Sequence, residues 1–225
     1  PLRPAGEKGR VRDRGRGKVR GPACFLPGAW LSMKILVLFA HPVETSFNAA
    51  IHARIVETLR AAGHEVDDCD LNAEGFNPVM SREDRLNYHT VPANRGPVAG
   101  YVERVLAAEA IVISTPIWNF GFPAILKGFF DKVFLPGVSF RMEGGSWKPN
   151  LFNIRKIAAV TTYGGTRWRA FLAGDPPRKI VTRSLRAVIR RTGSVRYIAH
   201  YDMNNTTPER RKAFLDQVER EMKAF

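Results

Sequence analysis

Three short stretches of this sequence gather residue types that can hold a ligand. The first is Ala-His-Pro-Val-Glu-Thr-Ser-Phe-Asn, residues 40–48, which puts His41, Thr45, Ser46 and Asn48 close together. Hydroxyls and amides just ahead of a helix suit an anion, because the first-turn N–H groups are free and the helix dipole is positive there. Helix capping needs only one such residue, whereas four polar groups within eight residues also suit a bound phosphate. The second stretch is Thr-Pro-Ile-Trp-Asn-Phe-Gly-Phe-Pro, residues 115–123. Its Trp118 and Phe120 either tuck into the core or wall a flat aromatic ligand, with backbone amides available to ring heteroatoms. The third is Thr161-Thr162-Tyr163-Gly164-Gly165. Paired glycines make a plain turn or let a ligand approach the backbone closely.

The elements that must position these stretches are legible in the hydrophobic pattern. Apolar runs at 34–40, 110–115, 156–163 and 194–199 are too short for helices and suit buried strands. A more polar run, 65–71, suits an edge strand. Phe47, Ile51, Ile55, Leu59 and Ala62 recur at helical spacing, with Thr45 or Ser46 as N-cap and Gly63 at the end. Val98, Val102, Val105 and Leu106 form a second helix face. Pro123 opens a helix that runs to about Leu135. Residues 180–191 read as a basic amphipathic helix. A terminal helix over 208–225 turns Phe214, Val218 and Met222 inward. Residues 72–97, with Pro78, Pro92 and Pro97, read as a long irregular connection.

Strands alternating with helices predict an α/β fold: a doubly wound, five-stranded parallel sheet with helices on both faces. In such sheets ligands bind beyond the carboxyl ends of the strands, at a switch point. All three stretches follow strands, so one sheet edge would carry an anion cradle and two platforms for a planar ring. Neither GxGxxG nor GxxxxGK[ST] follows the first strand. A dinucleotide Rossmann site and a P-loop are disfavoured accordingly.

Composition sets the outer limits. The 225 residues carry a net charge of +14, with 25% charged and 44% hydrophobic residues. No apolar run approaches the roughly 20 residues of a membrane span. Cys24 and Cys69 allow no disulfide framework or CxxC metal site. His52, His64, His89 and His200 are scattered, so no metal site is expected. Residues 1–32 hold eight basic and two acidic residues, leaving +8 on the remainder. They read as a basic, disordered extension outside the fold; a signal peptide and a polyanion-binding arm are the alternatives. Met33 stands directly before the first strand and is the expected native start.

The three stretches resemble the flavodoxin-like NAD(P)H:quinone oxidoreductase family, NAD(P)H dehydrogenase (quinone). The resemblance rests on His41…Thr45-Ser46-Phe47-Asn48, on Phe76-Asn77-Pro78…Ser81-Arg82, and on Trp118…Pro123-Ala124-Ile125-Leu126-Lys127-Gly128-Phe129-Phe130. It covers most of 33–134 and the 161–165 loop. It implies a flavodoxin-like flavin-binding domain over 33–225, a tightly bound flavin (FAD, with FMN as the alternative), NAD(P)H as co-substrate, and a cytoplasmic homodimer with its sites at the subunit interface. Carried over by position, His41, Thr45, Ser46, Phe47 and Asn48 would hold the flavin's phosphate and ribityl region. Pro116, Ile117, Trp118, Asn119 and Phe120 would flank its ring. Thr161, Thr162, Tyr163, Gly164 and Gly165 would line the pyrimidine side, and Phe140 would join Trp118 and Phe120 in the substrate pocket. The family's Tyr and His after the double glycine are replaced here by residues near Trp168 and Ala173. Tyr163 and Trp168 are the catalytic candidates in their place, with Arg167 or Arg169 able to stabilise a flavin anion. The family's basic contact near the terminal helix would fall on Arg211 or Lys212.

Hydride transfer through the flavin to a quinone is the expected chemistry, with ping-pong kinetics from one shared site. The alternatives are an FMN-dependent azo- or nitroreductase and a flavodoxin-like regulatory subunit of a transporter. A nucleic-acid binder is least favoured, because the aromatic residues lie on ligand loops and not along a basic stripe. The arginine-rich stretch 178–196 reads as a solvated face that could also attract NADPH.

Overall fold

A computed structural model describes residues Ser32–Phe225. Cys24 and the basic stretch expected to form an extension lie outside the described residues. In chain order the strands are β1 (Lys34–Phe39), β2 (Glu65–Asp70), β3 (Ala110–Ile117), β4 (Phe140–Glu143), β5 (Ser146–Pro149), β6 (Lys156–Tyr163) and β7 (Ser194–His200). The helices are α1 (Phe47–Ala61), α2 (Arg82–Asn87), α3 (Ala99–Ala107), α4 (Ala124–Val133), α5 (Arg167–Leu172), α6 (Pro176–Lys179), α7 (Arg186–Val188) and α8 (Pro208–Lys223).

Five strands form one parallel sheet in the order β2-β1-β3-β6-β7. Chain order reverses across β1 and β3, which makes their carboxyl ends the switch point. The expected polar strand, β2, is the edge. Alternation along the strands divides the core between two faces. Ile35 and Val37 face α1 and α8, where Ile51, Ile55, Leu59, Phe214, Val218 and Met222 pack. Leu36 and Leu38 face the opposite layer, with Val102, Val105, Leu126, Phe129 and Val133. Helix α1 begins at the N-cap Ser46, whose Oγ accepts from Ala49 N at 3.1 Å, and ends where Gly63 takes φ +86°.

Two expected stretches differ. The helix expected over 180–191 starts earlier, at Pro176, passes through a π-helical turn at Ile180–Leu185 and stops at Val188. Backbone pairing ends it: Leu151 N donates to Val188 O and Arg190 N donates to Ile154 O, which draws the chain to the sheet's lower edge. The irregular connection 72–97 contains α2, closed by a capping box between Ser81 and Asp84, and a 3-10 turn at Ala93–Val98. Leu106, expected on the buried face of α3, is exposed.

Candidate functional site

The loops after β1, β3 and β6 leave the same edge of the sheet, as the register of the parallel pairs requires. The first loop is braced from within, with His41 Nδ1 accepting from Val43 N at 3.1 Å. His41 also meets Trp118 edge-on at 5.7 Å between ring centroids, which brings the first two loops together. Beside it opens a cavity of about 510 Å³, lined by His41, Pro42, Glu44, His52, Asp70 and Asn72.

After β3 the chain reverses within two residues. Trp118 and Gly121 exchange both backbone hydrogen bonds, at 3.0 and 2.9 Å. Asn119 and Phe120 between them have φ of +49° and +57°, the signature of a type I′ turn. Asn is suited to this conformation; an aromatic residue is not, and strain of this kind concentrates at functional sites. The turn leaves Trp118 48% and Phe120 44% exposed, so neither tucks into the core. Pro116 and Ile117 are buried beneath them.

After β6, Gly164 O accepts from Asn204 N and Gly165 O accepts from Asp202 N, at 3.3 and 2.8 Å. A trans peptide sets C=O and N–H in opposite directions. The amides of Gly165 and Thr166 are therefore turned away from the 202–204 loop, and neither has a partner among the described hydrogen bonds. A Cβ on Gly164 would lie 3.2 Å from the Asn204 side chain, so the close backbone approach is real here.

Several expected site residues turn inward. Asn48 is buried and bonds Thr162, its Nδ2 donating to Oγ1 at 2.9 Å. Thr161 is buried, and its hydroxyl points to Ile198 O. Phe47 packs on His200 and Phe214, on the side of α8. These residues can offer a ligand only backbone, and for Phe47 and Asn48 that backbone is the open first turn of α1. Thr45, by contrast, is exposed.

Tyr163 is 3% exposed. Its O–H donates to Asp175 Oδ1 at 2.6 Å, and Tyr197 Oη lies 2.5 Å away. Burial and then the bond to Asp175 push this phenol above its ordinary range. Arg178 completes the hub, donating to Asp175 Oδ2 and to Tyr201 Oη, both at 2.9 Å. Asp175 itself sits at φ +44°, ahead of two prolines. Sequence reasoning missed this hub because no spacing announces a left-handed Asp.

Trp168 is 64% exposed on α5 and stacks on Phe171. Phe140 packs on Trp147 in the β4–β5 hairpin, and no aromatic contact among the described residues ties it to Trp118 or Phe120. The hairpin was also missed, although Gly144-Gly145 between Glu143 and Ser146 is a two-residue turn signal. Near the terminal helix, where Arg211 or Lys212 is the expected contact, Lys212 donates to Asp216 and the cavity-lining cation is Arg210. It lines a cavity of about 380 Å³ with His200, Tyr201, Phe214 and Gln217. Burial, and then Arg210, hold His200 below its ordinary pKa. The arginine-rich stretch is divided: Arg178 stands at this edge, while Arg190 and Arg191 lie at the other. No cluster of three metal-ligating side chains occurs, and no helix is long and apolar enough to cross a membrane, among the described residues.

This sheet order and these loops agree with a protein family described by its flavodoxin-like fold, whose profile matches residues 33–225. The chain belongs to that flavodoxin-like family. A Haemophilus influenzae protein named uncharacterized NAD(P)H oxidoreductase is 36% identical over 118 residues, 50% of this chain and 56% of the relative. A Coprothermobacter proteolyticus protein named FMN-dependent NADH:quinone oxidoreductase is 33% identical over 97 residues, 42% of this chain and 44% of the relative. Among solved structures, the NAD(P)H:quinone oxidoreductase from Methanothermobacter marburgensis superposes with a TM-score of 0.74 at 25% identity, over 85% of this chain and 98% of that one. The chain spans about half the length of the curated relatives it matches.

Proposed function

We propose that this flavodoxin-like protein is an NAD(P)H-dependent flavoprotein oxidoreductase, located in the cytoplasm, that reduces quinones or similar flat aromatic acceptors. The Asn119–Phe120 turn carries this reading, because a strained backbone holds two half-exposed aromatic residues beside a helix N-terminus. The donor set fits a flavin. Thr45 and the first-turn amides of α1 suit its phosphate. Trp118 and Phe120 suit the faces and edges of a tricyclic ring, and the unpartnered amides of Gly165 and Thr166 suit its carbonyl oxygens. Bound flavin supplies the hydride-accepting and hydride-donating chemistry. The chain's own part is to orient the ring, exclude water from it and stabilise negative charge, for which Arg167 and Arg169 on α5 are the nearest cations in sequence.

FMN is the flavin we favour over FAD, on the strength of the FMN-dependent relative. Trp168 is assigned to the wall of the acceptor site. Tyr163 is assigned a positioning role: through Asp175 it fixes the far end of the 164–175 loop. Trp168, Phe171 and Leu172 are all exposed on α5. An apolar patch of this kind beside a site is the expected seam of a homodimer, and sedimentation velocity tests that.

The decisive experiment titrates FMN and FAD into flavin-stripped protein and follows flavin fluorescence. Binding that weakens at least fivefold in Trp118→Ala supports the reading. If neither flavin binds, the reading fails. Turnover of NADH and NADPH against a quinone, nitro and azo panel then defines the acceptor.

A further inference from the structure

A cavity of about 600 Å³ lies at the opposite edge of the sheet from the three loops. It opens where β3, β6 and β7 begin. An eight-residue strand separates the two edges by about 23 Å, at roughly 3.3 Å per residue. Its walls combine apolar and cationic groups. Leu106 and Phe152, the latter 51% exposed, give an apolar side. Arg155, Arg190 and Arg191 give a basic side against the single acid Glu109. Arg155 pairs with Glu109 at 3.3 Å, while Arg190 and Arg191 have no ion pair among the described residues.

The backbone presenting these two arginines is fixed. Arg186 spends its guanidinium on the carbonyls of both, donating to Arg190 O and, at 2.6 Å, to Arg191 O. Gly193 N also donates to Arg190 O, and a Cβ on Gly193 would lie 2.9 Å from that oxygen. Ser194 N donates to Arg155 O. The carbonyls are thus consumed internally and the two side chains are left outward. A second detail favours an anion. The groove abuts the C-terminus of α3, where bare carbonyls would repel one. Asn153 Nδ2 covers them, donating to Val105 O, Leu106 O and Ala108 O at 2.9, 3.2 and 2.8 Å.

We propose that this groove binds a nucleotide, its phosphates on Arg190 and Arg191 and its base against Phe152. Guanidinium forks match phosphate oxygens in pairs, and the unpaired arginines have no other anion to serve. The volume suits a small ligand. This site is independent of the flavin reading and shares no residue with it.

The test uses flavin-saturated protein and a fluorescent ADP analogue, followed by anisotropy at low salt. Unlabelled ADP should displace the analogue and adenosine should not. Arg190→Ser/Arg191→Ser should weaken binding at least tenfold, and Phe152→Ser severalfold, while Arg85→Ser, an exposed arginine on α2 outside the groove, leaves it unchanged. Both arginines are exposed, so the double variant should fold, and its far-ultraviolet circular dichroism confirms that. The proposal is overturned if the double variant binds as tightly as wild type, or if excess FMN displaces the analogue and so places it on the flavin loops. It is overturned equally if ADP does not bind; capture of the protein by phosphatidylglycerol vesicles through the same arginines would then assign the groove to an anionic lipid surface.

Discussion

Phe120 offers a test that separates a strained structural turn from a ligand wall. It occupies the left-handed region at φ +57° and is 44% exposed. Replacement by Gly relieves about 1–2 kcal/mol of backbone strain. It costs about 0.5–1 kcal/mol through the freer unfolded chain. It also removes the covered part of the ring, on the order of 100 Å², which is worth about 2–3 kcal/mol at roughly 25 cal/mol per Å². The net expectation for Phe120→Gly is a loss of about 0.5–3 kcal/mol. Phe120→Leu keeps the strain and much of the apolar area but has no aromatic face. Its stability should stay within about 1.5 kcal/mol of wild type. Flavin affinity should nevertheless fall about two- to tenfold, as the loss of one aromatic contact of about 0.5–1.5 kcal/mol dictates. Urea unfolding followed by circular dichroism gives the first quantity, and quenching of flavin fluorescence gives the second. If Phe120→Leu binds flavin as tightly as wild type, the ring anchors the turn and walls nothing. A loss well beyond 3 kcal/mol in Phe120→Gly would show that the turn is not strained.

Three further outcomes follow from the packing and the charges. A Cβ on Gly128 of α4 would lie 2.4 Å from Pro78 Cβ and Pro78 O; Gly128→Ala should cost about 1–3 kcal/mol and lower Tm by several degrees, and an unchanged melt would contradict the geometry. Burial, opposed by Arg104 and reinforced by Glu74 and Asp67, pushes the Cys69 thiol up to about 12. Iodoacetamide at pH 8 should leave Cys69 unmodified in the native protein and modify it in urea, as read by peptide mass spectrometry. His64 and His200 are both held below the ordinary histidine value, by burial first and then by Lys156 and Arg210. The unfolded chain then binds protons more readily, so stability is complete above about pH 6.5 and is lost as pH falls through the folded values. The urea midpoint should drop between pH 7 and 5.5 and drop less in His64→Gln/His200→Gln; a midpoint that rises on acidification would refute the assignment.

The sheet, and the edge from which the three loops leave, were legible because buried strands write themselves as short apolar runs. Ile35 to Phe39 and Ala110 to Ile113 carry no competing helical period, and Pro42, Gly63 and Pro123 punctuate the chain where the structure turns. Side-chain direction was legible too, and it counts against one expected site residue. Phe47 shares the helical stripe of Ile51 and Ile55, so its place in the core follows from the spacing that defined α1. The resemblance ran deeper in packing than in chemistry. Two of its three stretches meet each other, with Gly128 closed against Pro78 and Lys132 donating to Asn77 O and Val79 O. Nothing in the sequence marked Asp175, whose role depends on Tyr163, Arg178 and Tyr197 converging from three elements. The basic stretch is solvated, as expected for Arg183, Arg190 and Arg191, but its division was not legible. Its charges look continuous in sequence, yet the helical run from Pro176 to Val188 crosses the sheet and leaves Arg178 at one edge and Arg190 and Arg191 at the other.

The two edges of the sheet solve the ligand problem in opposite ways. At the carboxyl edge the polar side chains satisfy one another: Asn48 with Thr162, Thr161 with Ile198 O, Tyr163 with Asp175. Backbone amides are what remain, at the start of α1 and at Gly165 and Thr166, and they are rigid because the side chains hold them. Under the proposed function, such a site would recognise shape and ring oxygens and admit a range of flat acceptors. At the amino edge the arrangement is inverted. Carbonyls are consumed by Arg186, Asn153 and Gly193, so that Arg190 and Arg191 are what remain. A site of that kind reads charge. The two proposed sites thus differ in which half of the backbone each edge has already used: amides stay open at the carboxyl edge, and guanidinium groups at the amino edge.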